Sequence, residues 1–236
     1  MRVPLMFHDT LPSTMDAAHT LAAEGAPHGS TVVAVRQTAA RGTRGRAWSS
    51  ESGGLWLSLV ARPGRTDALE ALSLRVGLAL ADALERELAT LPPLGLKWPN
   101  DLLLDGRKVA GVLAEARWAG SRCQWVVIGV GVNVSNDTNA ALGAGATSLA
   151  AVTAVPDATA LAEPVAAAIA EIARDAGELT PGELESFVRR DVLRGRRAVE
   201  PVEGIVEGIT PAGALRIRVA DGAVRSVTGG LVLAAT

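Results

Sequence analysis

The dipeptide Asp105-Gly106 most constrains how this chain folds. It stands between two strand-length apolar runs, Leu102 to Leu104 and Val109 to Glu115, and Asp-Gly between such runs is a strong hairpin signal. Leu94 to Trp98 and Trp125 to Val134 read as further strands on either side, so a mixed or largely antiparallel sheet is expected. Upstream, Thr31 to Val35 and Leu55 to Val60 read as two strands that clasp a basic loop, Gln37 to Trp48. Ser13-Thr14-Met15-Asp16 caps a short helix that stops at Gly25. Residues Asp67 to Thr90 carry leucines at helical spacing, with Asp67 as cap and Glu70 as the acid at N3, and this longest helix is expected to cover one face of the sheet. A long, mobile connection is expected from Asn136 to Ala158. A helix follows over Glu163 to Ala176, and another is opened by Thr180-Pro181-Gly182-Glu183 and runs through Arg190. Past Asp191 the texture changes to short β-like pieces: Ala198 to Val202, Gly204 to Ile209, Leu215 to Val219 and Val224 to Val227. The expected fold is α+β, with a larger unit over residues 1–190 and a small barrel-type β unit over 191–236.

Composition removes several classes of function. One cysteine, Cys123, allows no intramolecular disulfide and no multi-cysteine zinc site, and only His8, His19 and His28 remain as imidazole ligands. A net charge of -2 gives no global attraction to nucleic acid or an anionic membrane surface, so any basic site is local. No stretch approaches the roughly 18 apolar residues of a membrane span. The first residues do not read as a secretory signal, and a cytoplasmic protein is expected.

Few residues are left to carry chemistry. Arg41, Arg44 and Arg46, interleaved with Gly42 and Gly45, leave backbone N–H groups and guanidiniums free to close on phosphate; a solvated basic loop fits equally well. Lys97-Trp98-Pro99-Asn100-Asp101 brings an ammonium, an amide and a carboxylate into one turn, a set suited to nucleotide and divalent metal, although Pro-Asn-Asp is also ordinary turn chemistry. Lys108 projects from a fixed β position, as a site lysine or as an edge-strand guard against aggregation. Gly111, Gly129, Gly131 and Asn133 lie in apolar strands, where glycine admits a ligand or merely a neighbouring backbone. Ser13 and Thr14 offer hydroxyls to a ligand or to the helix they start. Trp48 and Trp98 suit ring stacking or core. No Ser-His-Asp or Cys-His arrangement is available. Attack of a substrate carboxylate on the α-phosphate of ATP tolerates that absence, because it needs positioning, charge neutralisation and exclusion of water.

In order and spacing, Ser13-Thr14, the run Gln37 to Trp48, Lys97 to Asp101, Lys108 to Glu115, Ile128 to Asn133 and the C-terminal β pieces resemble the biotin–protein ligase family over almost the whole chain. The resemblance implies a class II aminoacyl-tRNA-synthetase-like catalytic domain with a mixed sheet, followed by an SH3-like barrel. It implies that biotin and MgATP form biotinyl-adenylate, and that a lysine of a biotin carboxyl carrier protein then takes the biotin. By resemblance, Ser13, Thr14, Gln37, Arg41, Lys108, Gly111, Gly129 and Gly131 serve biotin, with Lys108 and Arg41 catalytic. Arg44, Arg46, Trp48, Asn100, Asp101 and Asn133 serve ATP, whose Mg²⁺ is carried with it and needs no metal site of the protein's own.

Three positions depart from the family pattern: Ala40 replaces the loop's first glycine, Thr43 its central arginine, and Met15 the asparagine after Ser-Thr. The loss at Thr43 implies weaker retention of the adenylate and leakage to bystander lysines. Only about twelve residues precede Ser13, so no DNA-binding winged helix is expected; a homodimer is left open. A lipoate or octanoate ligase is the nearest alternative, followed by a single-strand nucleic-acid module and a binding protein without turnover.

Overall fold

In the computed structural model, which describes residues 3–138, 145–230 and 232–233, the Asp105-Gly106 hairpin lies toward one edge of the larger sheet. Both residues have positive φ, 50° and 75°, as a two-residue primed turn requires. They join β5 (Asp101–Leu104) to the long β6 (Arg107–Ala119), which turns back into β7 (Arg122–Asn133). On the far side of β5 lies β4 (Gly95–Lys97), and on the far side of β7 lies β3 (Gly54–Ala61), which pairs with β2 (Thr31–Gln37).

An unanticipated strand, β1 (Leu5–Leu11), completes seven in the order β1-β2-β3-β7-β6-β5-β4. It runs parallel to β2, with helix α1 (Thr14–Ala23) as the crossover, while every other pair in this sheet is antiparallel. Its sequence gives no alternation to read because His8, Asp9 and Thr10 are exposed at the sheet edge.

The two sheet faces carry different covers. Leu55, Leu57 and Leu59 of β3 and Val126, Ile128, Val130 and Val132 of β7 face helices α2 (Leu69–Glu87) and α3 (Ala162–Ile172) in the main core. The opposite face holds only a small apolar cluster under α1, made of Met15, Ala18, Ala22, Val32, Val60 and Val127. Strand alternation puts Gly111, Gly129 and Gly131 on this thinner side.

Helix ends differ from expectation in two places. Helix α2 begins at Leu69, with Ala68 at its N-cap and no side-chain cap, because the Asp67 carboxylate is held by Arg65 at 2.8 and 3.2 Å. Helix α3 stops at Ile172 because the chain then bonds across to residues 64–68, Ala68 N to Ala176 O and Ala176 N to Arg65 O. Helix α4 (Pro181–Arg190) has the expected Thr180–Glu183 capping box. In the connection from Asn136 to Ala158, residues 139–144 and the expectation of mobility there lie outside the described residues. Its later part is tied down, Thr147 N to Lys108 O and Ala150 N to Val134 O.

The C-terminal pieces form a second, antiparallel sheet of β8 (Arg197–Glu200), β9 (Gly204–Ile209), β10 (Leu215–Arg218), β11 (Val224–Val227) and β12 (Val232–Leu233), in the order β11-β10-β9-β8-β12. Trp98 Nε1 donates to Gly213 O at 2.9 Å, and a Cβ at Gly213 would come within 2.8 Å of the Ala71 backbone in α2. Phe187, Val206, Leu215 and Ile217 continue the main apolar core into this sheet. Among the described residues, no helix is long and apolar enough to cross a membrane.

Candidate active site

A cavity of about 250 Å³ opens on the α1 face of the larger sheet. Three glycines make room for it. Gly131 pairs with Gly111 across β7 and β6, and Gly129 lies two residues along β7, opposite Ser58 and Leu113. A Cβ at Gly129 would come within 2.6 Å of Met15 Sδ, and one at Gly131 within 2.9 Å of the Trp48 ring. A side chain at either position would have to displace Met15 or the Trp48 ring.

The ends of this trough are chemically different. At the Gly129 end, Thr14 Oγ1 shares a 2.8 Å hydrogen bond with Ser58 Oγ and donates to Gln37 Oε1 at 3.0 Å, while Thr14 N–H donates to the same oxygen at 2.7 Å. Gln37 Nε2 donates to Ser50 Oγ at 3.0 Å. At the Gly131 end, Lys108 is ion-paired with Asp101, and its Nζ lies 4.8 Å from the centroid of the Trp48 ring. Two residue steps along β7, from Gly129 to Gly131, separate the ends, roughly 7 Å along an extended chain. Trp48 Nε1 is buried and has no hydrogen-bond partner among the described residues.

The arginine loop is a small hairpin over this trough, with Arg41 bridged to Ala47, Gly42 N bonded to Arg46 O at 2.7 Å and Trp48 N to Ala40 O at 3.0 Å. Its three arginines part company. Arg41 grips Glu115 with two 3.0 Å bonds and Asp16 with one of 2.7 Å. The Arg41 guanidinium accordingly holds the Glu115 carboxyl below its usual range, against the burial that would raise it. Arg46 lines the cavity and donates to Thr43 Oγ1 at 3.3 Å. Arg44, in a left-handed conformation with φ of 60°, points to the second sheet, where a Cβ at Gly229 would lie 3.4 Å from its guanidinium.

Ser13, Thr14, Gln37, Arg41, Arg46, Trp48, Asn100, Asp101, Lys108, Gly111, Gly129 and Gly131 therefore share one cavity, and Arg44 and Asn133 lie outside its lining. Asn133 is committed elsewhere, donating to Thr147 O at 3.1 Å and accepting from Asn136 Nδ2 at 3.1 Å. Asn100 donates to Val112 O at 2.6 Å and so pins the turn before β5. Trp98 is core, and Lys97 does not line the cavity. Sequence reading passed over Ser58, Glu115, Asp16 and His19. Ser58 carried a signal, a lone hydroxyl in the apolar run Leu55 to Val60; Glu115 closed a strand and gave none. The described lining contains no His or Cys, and burial raises the thiol of Cys123. The site has room and charge for a small acid and a phosphate, and no His or Cys lines it to serve as nucleophile or as base to a hydroxyl.

Residues 7–133 match the model of the biotin/lipoate A/B protein ligase family, and residues 194–233 that of the biotin protein ligase C-terminal domain. The chain is 41% identical over 137 residues, 57% of its length, to the bifunctional ligase/repressor BirA of Bacillus subtilis, covering 42% of that protein. It is 44% identical over 110 residues to the biotin–[acetyl-CoA-carboxylase] ligase of Paracoccus denitrificans, covering 46% of each. The chain thus spans less than half the length of these curated relatives. Among solved structures, the biotin protein ligase of Aquifex aeolicus in complex with biotin and ATP superposes with a TM-score of 0.82 at 26% identity, over 99% of both chains.

Proposed function

The chain belongs to the biotin/lipoate A/B protein ligase family, and on that premise we propose that it is a biotin–protein ligase acting on a biotin carboxyl carrier protein. The single observation that carries the reading is the two-ended trough. Hydroxyl and amide groups of Thr14, Ser58 and Gln37 gather at one end, an ammonium stands at the other, and glycines wall the roughly 7 Å between. An acid with a polar head and a short aliphatic tail ending in carboxylate matches that layout.

In the first half-reaction a carboxylate oxygen of biotin attacks the α-phosphorus of ATP. The bond to the bridging oxygen breaks, and pyrophosphate leaves with its electron pair. Lys108 carries the positive charge at the reacting carboxylate and bridging oxygen, released to it from Asp101. Arg46 and the loop N–H groups serve the phosphates, and Trp48 closes the trough against water. Arg41, already engaged by Glu115 and Asp16, fixes the loop base from which both project. Arg44 reaches the nucleotide only by leaving Gly229 and Gly230, and Asn133 supports the neighbouring chain at Thr147. Mg²⁺ carried with ATP would supply neutralisation of phosphate charge. Asn100 and Asp101 are oxygen donors suited to it, and among the described residues no group of three or more His, Cys, Asp or Glu forms a separate metal site. In the second half-reaction the neutral amine of a carrier lysine attacks the acyl carbon, AMP departs, and the amine loses its proton to solvent.

Calorimetric titration with biotin and with lipoate, each with and without MgATP, followed by mass analysis of the bound product, tests the reading. Biotinyl-adenylate retained in the trough is the expected result. Adenylation of lipoate alone, or no pyrophosphate release with either acid, would overturn it.

A further inference from the structure

One ordered hydrogen-bond chain ends at the trough without belonging to it. Trp125 Nε1 donates to His19 Nδ1 at 3.0 Å, and His19 Nε2 lies 3.1 Å from Glu115 Oε2. An indole N–H only donates, so Nδ1 must be the unprotonated nitrogen, and Nε2 carries the proton that it gives to Glu115. The same Glu115 receives both parallel bonds from Arg41. Helix α1 presents Asp16 and His19 three residues apart on one face, and both act on this pair, Asp16 on Arg41 and His19 on Glu115. The His19 side chain is 11% exposed.

We infer that His19 is a positioning residue for the arginine loop. With one oxygen of Glu115 held by His19, the carboxylate presents a fixed fork to Arg41. Arg41 is bridged through its backbone to Ala47, and the next residue is Trp48, whose ring packs on Gly111 and Gly131 under Lys108. The relay thus runs from the core of the α1 face to the wall of the trough. Three carboxylate bonds on Arg41 neutralise it, which leaves Lys108 and Arg46 to meet the charge of a ligand. His19 touches neither the trough nor any reacting atom; its effect is on how long the loop stays placed.

The consequence for biotin rests on the function proposed above, whereas the consequence for the loop does not, so two readouts separate them. The first is the initial rate of tryptic cleavage at Arg44 and Arg46, referenced to cleavage at the exposed Arg218 and Arg225 of the β10–β11 hairpin, which is remote from Trp125. His19→Ala is expected to raise the loop-to-hairpin ratio by about threefold to tenfold, the span of one net hydrogen bond. The second is the KM for biotin, expected to rise by a similar factor with kcat unchanged within about twofold, since the lost order affects binding rather than the reacting groups. His19→Gln, whose amide offers one acceptor to Trp125 and one donor to Glu115, is expected to restore both. Trp125→Phe, which frees the ring of His19, is expected to shift both in the direction of His19→Ala. An unchanged cleavage ratio in His19→Ala and Trp125→Phe would overturn the inference, as would failure of His19→Gln to behave differently from His19→Ala. If His19→Ala does not fold, the Gln and Phe variants decide the matter by the same ratio. Absence of biotin turnover in the unaltered protein would reject the proposed function and leave the cleavage comparison to judge the relay.

Discussion

Lys108 and Trp48 form a stacked pair in which the ammonium lies 4.8 Å from the ring centroid while the same nitrogen is ion-paired with Asp101. The cation is therefore held in place by Asp101 and Trp48, and in the proposed function a ligand carboxylate has to replace Asp101 as its partner.

In the proposed function, replacing Lys108 removes the charge at the reacting carboxylate without opening the core. A hydrogen bond to a charged group contributes about 1.5 to 3 kcal/mol, so Lys108→Ala is expected to slow adenylate formation by roughly one to two orders of magnitude. Lys108→Arg is expected to restore little, because a planar fork does not reproduce a point charge stacked on an indole. Pyrophosphate release under single-turnover conditions measures both; a normal rate in Lys108→Ala would remove this residue from the chemistry.

Gly129 and Gly131 separate binding from folding. A Cβ at Gly129 meets Met15 Sδ at 2.6 Å, and one at Gly131 meets the Trp48 ring at 2.9 Å. The Met15 side chain can swing, and the space it would swing into is the trough. Gly129→Ala is therefore expected to weaken biotin binding by about tenfold or more while stability changes by less than about 1.5 kcal/mol. Gly204→Ala is the contrasting case. Its Cβ would lie 2.3 Å from the backbone oxygen of Arg218, a neighbour that cannot give way, and a loss of about 2 kcal/mol or more is expected in denaturant titration.

Much of this architecture was legible in the sequence because the relevant signals are local. Asp105-Gly106 needed two positive φ values and has them. Thr180 and Glu183 close their capping box within four residues. What escaped depends on distant partners. Asp67 was expected to cap α2, but Arg65 competes for its carboxylate. Strand β1 carries no pattern, since its pairing with β2 supplies what its side chains do not. In the site, the glycines and Lys108 were readable because their types are unusual in apolar strands. Glu115 and His19 became visible only when β6 and α1 were brought together, 96 residues apart in sequence.

Acid sensitivity follows from three carboxylates held by arginine. For Glu183 and Glu85 burial is the largest influence and would raise the pKa, but hydrogen bonds taken together, from Arg75 and Thr180 to Glu183 and from Arg190 and Leu94 to Glu85, hold both below the ordinary range; for Glu115 the Arg41 bond alone is the largest influence. A depressed folded-state pKa contributes stability above the unfolded-state pKa, and that contribution is lost as pH falls through the folded value. Asp191 works the other way, its pKa raised by burial, so protonation there opposes part of the loss. The melting temperature is expected to be flat near neutrality and to fall below the ordinary glutamate range. Glu183→Gln is expected to lower the plateau and to flatten the acid limb; an acid limb unchanged in slope would exclude Glu183 as a contributor.

Thr43 offers a gain-of-order test. Its hydroxyl accepts a 3.3 Å bond from Arg46, a weak tie for a loop that, in the proposed function, closes over a phosphate. Thr43→Arg adds a guanidinium at the centre of the loop, and in the proposed function it is expected to hold the adenylate longer. Labelling of bystander lysines, read by mass spectrometry with excess unrelated protein present, should fall relative to carrier labelling. If only the carrier lysine is labelled in the unaltered protein, the expected leak does not exist.

Arg75 is a structural pin between α2 and α4. It is 5% exposed in the middle of α2, and it bonds Glu183 at 2.6 Å and the carbonyls of Asp175 and Glu178 at 2.8 Å. It thereby fixes the start of α4 and the turn that leads to it, the segment on which the second sheet rests through Leu179 N and Pro211 O. Removing one partner of a buried pair leaves the other uncompensated, a loss of about 3 to 5 kcal/mol. Arg75→Ala is expected to lose that much in urea unfolding, and Arg75→Lys is expected to recover only part, because an ammonium cannot span Glu183 and both carbonyls at once. Glu183→Gln should lose less than Arg75→Ala, since the amide still accepts from Arg75 and the carbonyl contacts remain. Equal losses in the two single variants would mean that the carbonyl bonds contribute nothing and that the pin is the ion pair alone.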